Sequence, residues 1–472
     1  MRWTPRGSLT PATGINPPVN TSGNDVVMNK EDHIKAALES IVGRDSLWIR
    51  DEYSTRYYEI APVSTEAIQA VVKFANRKNI TVFHGKGSHF SQPQSISNHH
   101  AIVLRLSKMK KITAVNETSR YAIVEPGVTH QELTGYLDAH YPLLQHCLSP
   151  DSPGDTILDT ALGCGTNSLS TLYGNTDDMV QGLEVVLPDG SIGKIGSCCI
   201  SRLWFANHAL PDLKGLFLNW HGTTGIITKL SLRLFCRFDF NDLIIYTFKD
   251  HQMIPGVIEK VTHLEMADMV TIIGKELPTY LEGMIIIALH LSGTTQEVLD
   301  LKKEVFKNLF KNHKKVMVKD CLSKDMRNAI FTGADSLDKK DKASIDSFDC
   351  LMPLEIIPAA WRQGIKIIHT HPCKYLFDFF VEDHGHRIFG KFTYVSPGCA
   401  AGLSSPVQSI RKELRAMILD LGGIPRDLSE GNQKDLVQKM DPVTAGLANK
   451  IRHVLDANRI MNPDKWRIFH NR

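Results

Sequence analysis

Two segments of this 472-residue chain hold residue types and spacings that could do chemistry. The first is HGKGSHF, His84–Phe90, directly after the apolar run Ile80–Phe83. A pyrophosphate is held by several backbone N–H groups turned inward, and glycine adopts the left-handed angles this requires. Gly85 and Gly87 are the candidates, while Lys86 either adds charge against the phosphates or points into solvent. The second is VEDHGHRIFGKFTY, Val381–Tyr394, where His384 and His386 offer a base, Arg387 a carboxylate clamp and Tyr394 a hydroxyl. That set suits general acid–base work on a bound small molecule. His384 and His386 at i, i+2 share one face of a strand, and His369 and His371 form a second such pair, which admits a metal reading. Each pair wants a third ligand, and surface or core histidines are the commoner explanation.

The elements that must position these groups follow from periodicity. An amphipathic helix spans Lys30–Val42, and Leu47–Tyr58 is polar and aromatic without a period. Ser64 or Thr65 caps a helix with Ile68, Val71, Val72 and Ala75 on one face, and the strand Ile80–Phe83 follows. Ala101–Leu106 reads as a buried strand. Ile112–Val115 and Tyr121–Glu125 form a hairpin, and a second hairpin joins Leu183–Leu187 to Ser191–Ile195 through Pro188, Asp189 and Gly190. Gly225–Phe235 alternates as a long strand. After Cys236 a second α+β unit is expected, with a stretch at Leu243–Thr247, a helix at Val257–Leu264, a strand at Gly283–His290 and a helix at Thr295–Asn312. It lies on the first unit as a lid. Asp335–Asp346 reads as a solvated loop, and Val443–Leu455 as a closing helix.

With 42% hydrophobic and 22% charged residues, the chain can build one large or two to three ordinary domains. A net charge of +3 without a basic run gives no footprint for nucleic acid or a membrane surface. The nine cysteines contain no CxxC pair, so reduced thiols in a cytoplasm are the expected state. Residues 1–25 read as a flexible arm, and no transmembrane segment is expected.

Five fragments in order resemble the FAD-binding domain of the vanillyl-alcohol oxidase and para-cresol methylhydroxylase (PCMH) superfamily, nearest its glycolate oxidase and D-lactate dehydrogenase branch. They are HGKGSHF, EPGVTHQEL (Glu125–Leu133), YGNTDDMVQGLEVVLPDG (Tyr173–Gly190), HGTTGIITKLSLRLF (His221–Phe235) and LDANRIMNPDK (Leu455–Lys465). The resemblance implies an α+β fold with a PCMH-type, two-subdomain FAD-binding domain over residues 26–237. It further implies a substrate or cap domain of α+β type over 238–400, and a segment 401–472 packing back on the FAD domain.

The implied cofactor is FAD, held by His84, Gly85, Lys86, Gly87, Ser88, His89, Phe90, Pro126, Gly127, Val128, Pro150, Asp155, Thr156, Gly163, Gly165, Thr166, Tyr173, Gly174, Gly225, Ile226, Ile227 and Asn458. His89 falls where covalent members attach the flavin. Leu158 and Asp159 stand where the family has two glycines, so either the local backbone differs or the Asp159 carboxylate turns away from a phosphate. The implied reaction is oxidation of a CH–OH group by hydride transfer to flavin N5, with a 2-hydroxy acid favoured and oxygen or an electron carrier as acceptor. The alternatives are a phenolic-alcohol or berberine-bridge-like oxidase with covalent FAD, and a flavin-fold binding or scaffold protein without turnover, since the family's HxGDGNxH motif is absent from Val381–Tyr394. A homo-oligomer is left open.

Overall fold

The computed structural model describes residues 30–52, 55–84, 101–148, 154–163, 165–208, 210–276, 283–311, 317–319, 344–396, 405–426 and 430–466. Of the segments singled out above, residues 1–25, Gly85–Phe90, Pro150 and residues 335–343 lie outside them, and Asp346, read as the end of a solvated loop, stands instead in the strand Ser344–Met352.

Helix α1 (Lys30–Val42) leads into the hairpin β1 (Leu47–Glu52) and β2 (Thr55–Ile60), then α2 (Thr65–Lys78), β3 (Val82–His84) and β4 (Ala101–Leu104). The sheet order is β1-β2-β4-β3, with β2, β4 and β3 parallel. The segment without a sequence period is thus two strands paired from Leu47↔Ile60 to Glu52↔Thr55. Charge hides the alternation. Glu59 is buried, and although burial works against ionisation, Arg105 and Arg50 hold its carboxyl below the usual range. Ser64 caps α2 by accepting from Ala67 N–H, and Ile68, Val71, Val72 and Ala75 are fully buried.

The second sheet uses β5 (Ile112–Asn116), β6 (Tyr121–Val124), β8 (Val180–Val186), β9 (Ile192–Gly196) and β10 (Ile226–Arg233), ordered β5-β6-β10-β8-β9 and antiparallel throughout. A two-residue strand β7 (Leu144–Gln145) pairs with β11 (Phe235–Cys236). Helices α3 (His130–His140), α4 (Ile157–Leu162) and α5 (Ser170–Tyr173) lie between β6 and β8. Val186 and Ile226 pack into the core of the first sheet, beside Val82, Ile102 and Leu104, so the two sheets form one body.

The lid is an eight-stranded sheet. Its strands are β12 (Phe240–Phe248), β13 (Met269–Lys275), β14 (Ile285–Gly293), β15 (Met317–Lys319), β16 (Ser344–Met352), β17 (Lys374–Glu382), β18 (Arg387–Ser396) and β19 (Ile424–Pro425), ordered β15-β12-β14-β13-β17-β18-β16-β19. One face carries α6 (Ile254–Thr262), α7 (Gln296–Leu309), α8 (Ile357–His369) and α9 (Ser405–Leu421) over a core that includes Phe348, Phe377, Phe379 and Phe392. The expected division differs here. Helix α9 and strand β19 belong to the lid, with Cys350↔Pro425 in register, because Ile410, Leu414 and Ile418 have their apolar partners there. After α10 (Glu430–Lys439) and α11 (Pro442–Leu455), only the tail returns to the first sheet, where Val82 bridges Met461.

Candidate functional site

β3 ends on His84, which is buried and meets two distant parts of the chain. Burial pushes its imidazole down to about 4, so the ring is neutral and Nε2 donates to the Gly222 carbonyl at 3.0 Å. The Asn462 Oδ1 accepts from His84 N–H at 2.9 Å, and its Nδ2 donates to the carbonyls of His84 at 2.9 Å and His221 at 2.7 Å. Gly222 has φ +73°, and a Cβ there would lie 2.2 Å from the His84 ring. Only glycine permits that approach.

The segment from Glu125 to Asn167 forms a second wall. Pro126 and Val128 are buried, and Gly127 presses on the turn 106–109, where a Cβ would come within 2.7 Å of the Leu106 and Met109 carbonyls. Thr129 caps α3 in a reciprocal box with Glu132. Backbone bonds then tie this turn to the next one: His130 N–H donates to Asp155 O and Ile157 N–H to Val128 O. His130 and His146 are buried in contact, Nδ1 to Nε2 at 3.2 Å, and His130 Nε2 reaches the Thr160 hydroxyl at 3.0 Å.

Whether these walls suit FAD turns on their carboxylates. Asp159 sits in the first turn of α4 and accepts from the Thr156 hydroxyl at 2.8 Å, while Thr156 caps the helix by accepting from Asp159 N–H. Leu158 is buried in the core of the second sheet. Glu125 turns away too, accepting from Lys111 N–H at 2.9 Å. With these two carboxylates engaged by the chain, neither stands against a phosphate, and walls built of backbone, threonine and neutral imidazole fit an anionic dinucleotide. Gly163 faces Arg426: a Cβ there would lie 3.3 Å from Asp159 O, a tight contact, and 3.7 Å from Arg426 Nη2. Gly165 instead packs on Thr160.

Arg426, from the end of β19, also stacks over the Phe389 ring at 4.5 Å. Phe389 and Phe380 lie on the inner face of the lid sheet, opposite its helices, with Thr271 paired beside Phe380. The Thr271 hydroxyl is buried without a hydrogen-bond partner among the described residues, as expected of a group that faces a ligand or water. Next along this face stand Asp378 and Lys391, in register, and then buried Lys275, whose ammonium is pushed down by burial.

The lid is joined to this wall by a polar network. Glu382 is fully buried and accepts from the Thr166 hydroxyl at 2.9 Å and from Arg387 Nε at 3.2 Å. Arg387 Nη2 donates to Asp178 at 2.6 Å. Burial raises the Glu382 carboxyl, the Thr166 and Arg387 contacts offsetting it only in part. Nearby, the Thr171 hydroxyl donates to Val381 O and accepts from Val270 N–H.

The expected catalytic cluster is therefore divided. Arg387 holds the joint. His384, with φ 54°, and the exposed His386 lie at the β17–β18 turn, which packs between α5 and α6. Tyr394 is corrected: it lies on the helix-covered face and donates to Asp346 at 2.7 Å, so no substrate reaches it from the inner face. Asn458 is corrected likewise, since its exposed amide meets Asn76 on α2. Tyr173 packs tilted against Phe235, Gly174 (φ +85°) abuts Asp178, and Gly225, directly before β10, and Ile226 and Ile227 at its start lie against Val186 and Phe217. His369 pairs with Glu276 at 2.7 Å, and His371 lies 3.9 Å from Glu413. Among the described residues no three metal-capable side chains cluster, and no helix is long and apolar enough to cross a membrane. Sequence reasoning missed Arg426 and Asn462, and it named Glu382 only as a carboxylate adjacent to a candidate metal pair. Only Asn462 carried a signal, the NP of the closing motif.

Comparison with known proteins agrees with this geometry. A family model described as an FAD binding domain matches residues 58–196. The chain is 25% identical over 441 residues to a D-lactate dehydrogenase of Anaerostipes hadrus, covering 86% of this chain and 88% of that protein. It is 24% identical over 429 residues to a D-lactate dehydrogenase of Archaeoglobus fulgidus, covering 86% and 90%. In fold it is similar to p-cresol methylhydroxylase with substrate bound, with a TM-score of 0.77 at 18% identity over 93% of this chain and 98% of that one. A 4-ethylphenol oxidase from Gulosibacter chungangensis gives 0.74 at 16% identity, over 93% and 98%.

Proposed function

We propose that this chain, an FAD-linked oxidoreductase of the vanillyl-alcohol oxidase and para-cresol methylhydroxylase superfamily, oxidises the CH–OH group of a small 2-hydroxy acid. The observation that carries the reading is Arg426, a guanidinium set over Phe389 and 3.7 Å from the Cβ position of Gly163, where lid and FAD domain meet. A 2-hydroxy acid is defined by a carboxylate next to the carbon to be oxidised, and a planar guanidinium is the side chain best matched to it. The similarity to D-lactate dehydrogenases over most of the chain supports the same substrate class.

Bound FAD, held by the walls around His84, Gly163 and Thr166, would supply the acceptor for the two electrons leaving the substrate. The chain's own part is orientation. Arg426 fixes the carboxylate, the Thr271 hydroxyl offers a hydrogen bond from the lid, and Phe380 and Phe389 keep water from the face between them.

The test is anaerobic addition of D-lactate or D-2-hydroxyglutarate to the yellow holoprotein. Bleaching of the flavin absorbance by a hydroxy acid, and a roughly 10- to 100-fold lower kcat/KM in Arg426→Ala, are the expected results. Bleaching by 4-alkylphenols alone would overturn the reading. Return of colour on admitting air separates an oxidase from a dehydrogenase that needs another carrier. Flavin left on acid-precipitated protein, and released in His89→Ala, would mark covalent attachment.

A further inference from the structure

The tail after α11 is built as a buried device. Asp456, itself buried, accepts from Ile460 N–H at 3.0 Å and Met461 N–H at 2.9 Å. Arg452 is 2% exposed and donates to the carbonyls of Lys465 at 2.5 Å, Trp466 at 3.3 Å and Met461 at 3.5 Å. Between these anchors the tail runs beside β3, with Val82 N–H donating to Ile460 O and Asn462 N–H to Val82 O. The construction delivers one side chain, Asn462, which is 5% exposed.

Asn462 uses its amide in both senses. Its oxygen takes the His84 N–H, and its nitrogen spans the His84 and His221 carbonyls. An aspartate lacks the two donors, a glutamine is one methylene longer, and the backbone angle, φ 39°, lies where asparagine is among the few tolerated residues. The residues so joined are the last of β3, directly before the sequence Gly85–Phe90, and the loop 219–225, which opens β10. Asn462 and His221 both lie outside residues 58–196, which the FAD-domain model matches.

We propose that Asn462 is a positioning residue for FAD: it locks the exit of β3 to loop 219–225, so that the C-terminal tail completes the cofactor site from outside the FAD-binding domain. Removing the amide strands one buried N–H and two buried carbonyls at the edge of that site, and the two walls lose their common reference.

The experiment uses full-length protein stripped of FAD, with Asn462→Ala, Asn462→Asp, Asp456→Asn and Asn458→Ala. Three quantities are read: the FAD Kd from quenching of flavin fluorescence, the visible circular dichroism of bound flavin, and hydrogen exchange of residues 80–84 and 219–226. Asn462→Ala is expected to raise the Kd at least about tenfold, alter the flavin dichroism and speed exchange in both segments. Asn462→Asp should be no better, because its carboxylate faces two carbonyls. Asp456→Asn loosens the tail and gives a smaller loss of the same kind, whereas Asn458→Ala, on the same tail but facing Asn76, leaves all three readings unchanged. A folded Asn462→Ala with the wild-type Kd, or faster exchange confined to the tail, would overturn the proposal. If Asn462→Ala does not fold, Asp456→Asn decides: a tail released by hydrogen exchange with an unchanged FAD Kd would sink it.

Discussion

At the scale of single residues, the contacts that matter pair groups far apart in sequence. Glu382 meets Thr166 across 216 positions, and Arg387 meets Asp178 across 209. Sequence reasoning valued Arg387 as a carboxylate clamp, and it does clamp carboxylates, but they belong to the protein. The joint predicts an asymmetry. Glu382→Ala leaves Arg387 without one partner and Thr166 with an unanswered hydroxyl, and should cost about 2–3 kcal/mol in urea unfolding. Glu382→Gln keeps an acceptor for Thr166 and should cost less than half of that. Equal losses would mean that charge at Glu382 carries the joint and the Thr166 contact carries nothing.

At the scale of elements, close approach is set by glycine and by caps. Gly274 on β13 leaves room for Trp361 of α8, and a Cβ would come within 2.1 Å of the indole. Trp361 packs edge-on to Phe377 and Phe379, at centroid distances of 5.4 and 5.5 Å. Gly274→Ala should therefore cost about 2 kcal/mol by overpacking and shift the tryptophan emission, while FAD stays bound in the other domain. The box between Thr129 and Glu132 is worth about 1 kcal/mol, which Thr129→Ala should remove from apoprotein stability in urea. The helix of Asp159 teaches the converse lesson. A carboxylate that looked hostile to a phosphate is a first-turn residue of α4, and its partner Thr156 was visible three positions earlier.

At the scale of the molecule, buried neutral histidines tie stability to pH. Burial brings His84 and His130 down to about 4 and His146 to about 3, from an ordinary value of 6.5. The unfolded chain therefore binds more protons below pH 6.5. The stabilisation is complete above that value and is lost as pH falls towards 4. The urea midpoint should drop between pH 6.5 and 5, and His130→Gln with His146→Gln should flatten that slope. Buried carboxyls whose values are raised, Glu382, Asp268 and Asp456, act in the opposite sense. An identical slope between pH 6.5 and 5 in the wild type and in the double variant would show that His130 and His146 take up protons in the fold as they do in the unfolded chain.

Local pattern alone determined the α+β class, the helices at Lys30–Val42 and Thr65–Lys78, and the hairpins around Asn116–Ser119 and Pro188–Gly190, because capping and period-2 burial are properties of neighbouring residues. The cofactor came from the resemblance of five short fragments, those with HGTTGI and EPGV among them, to a known FAD-binding domain. The strands Leu47–Ile60 were hidden because Glu59 is buried with arginines instead of standing on a wet face. Arg426, Asn462 and the Thr166–Glu382 bond came only from the tertiary structure. A hydrogen bond between residues hundreds of positions apart leaves no periodicity in the chain, and its energy depends on burial that the folded body alone supplies.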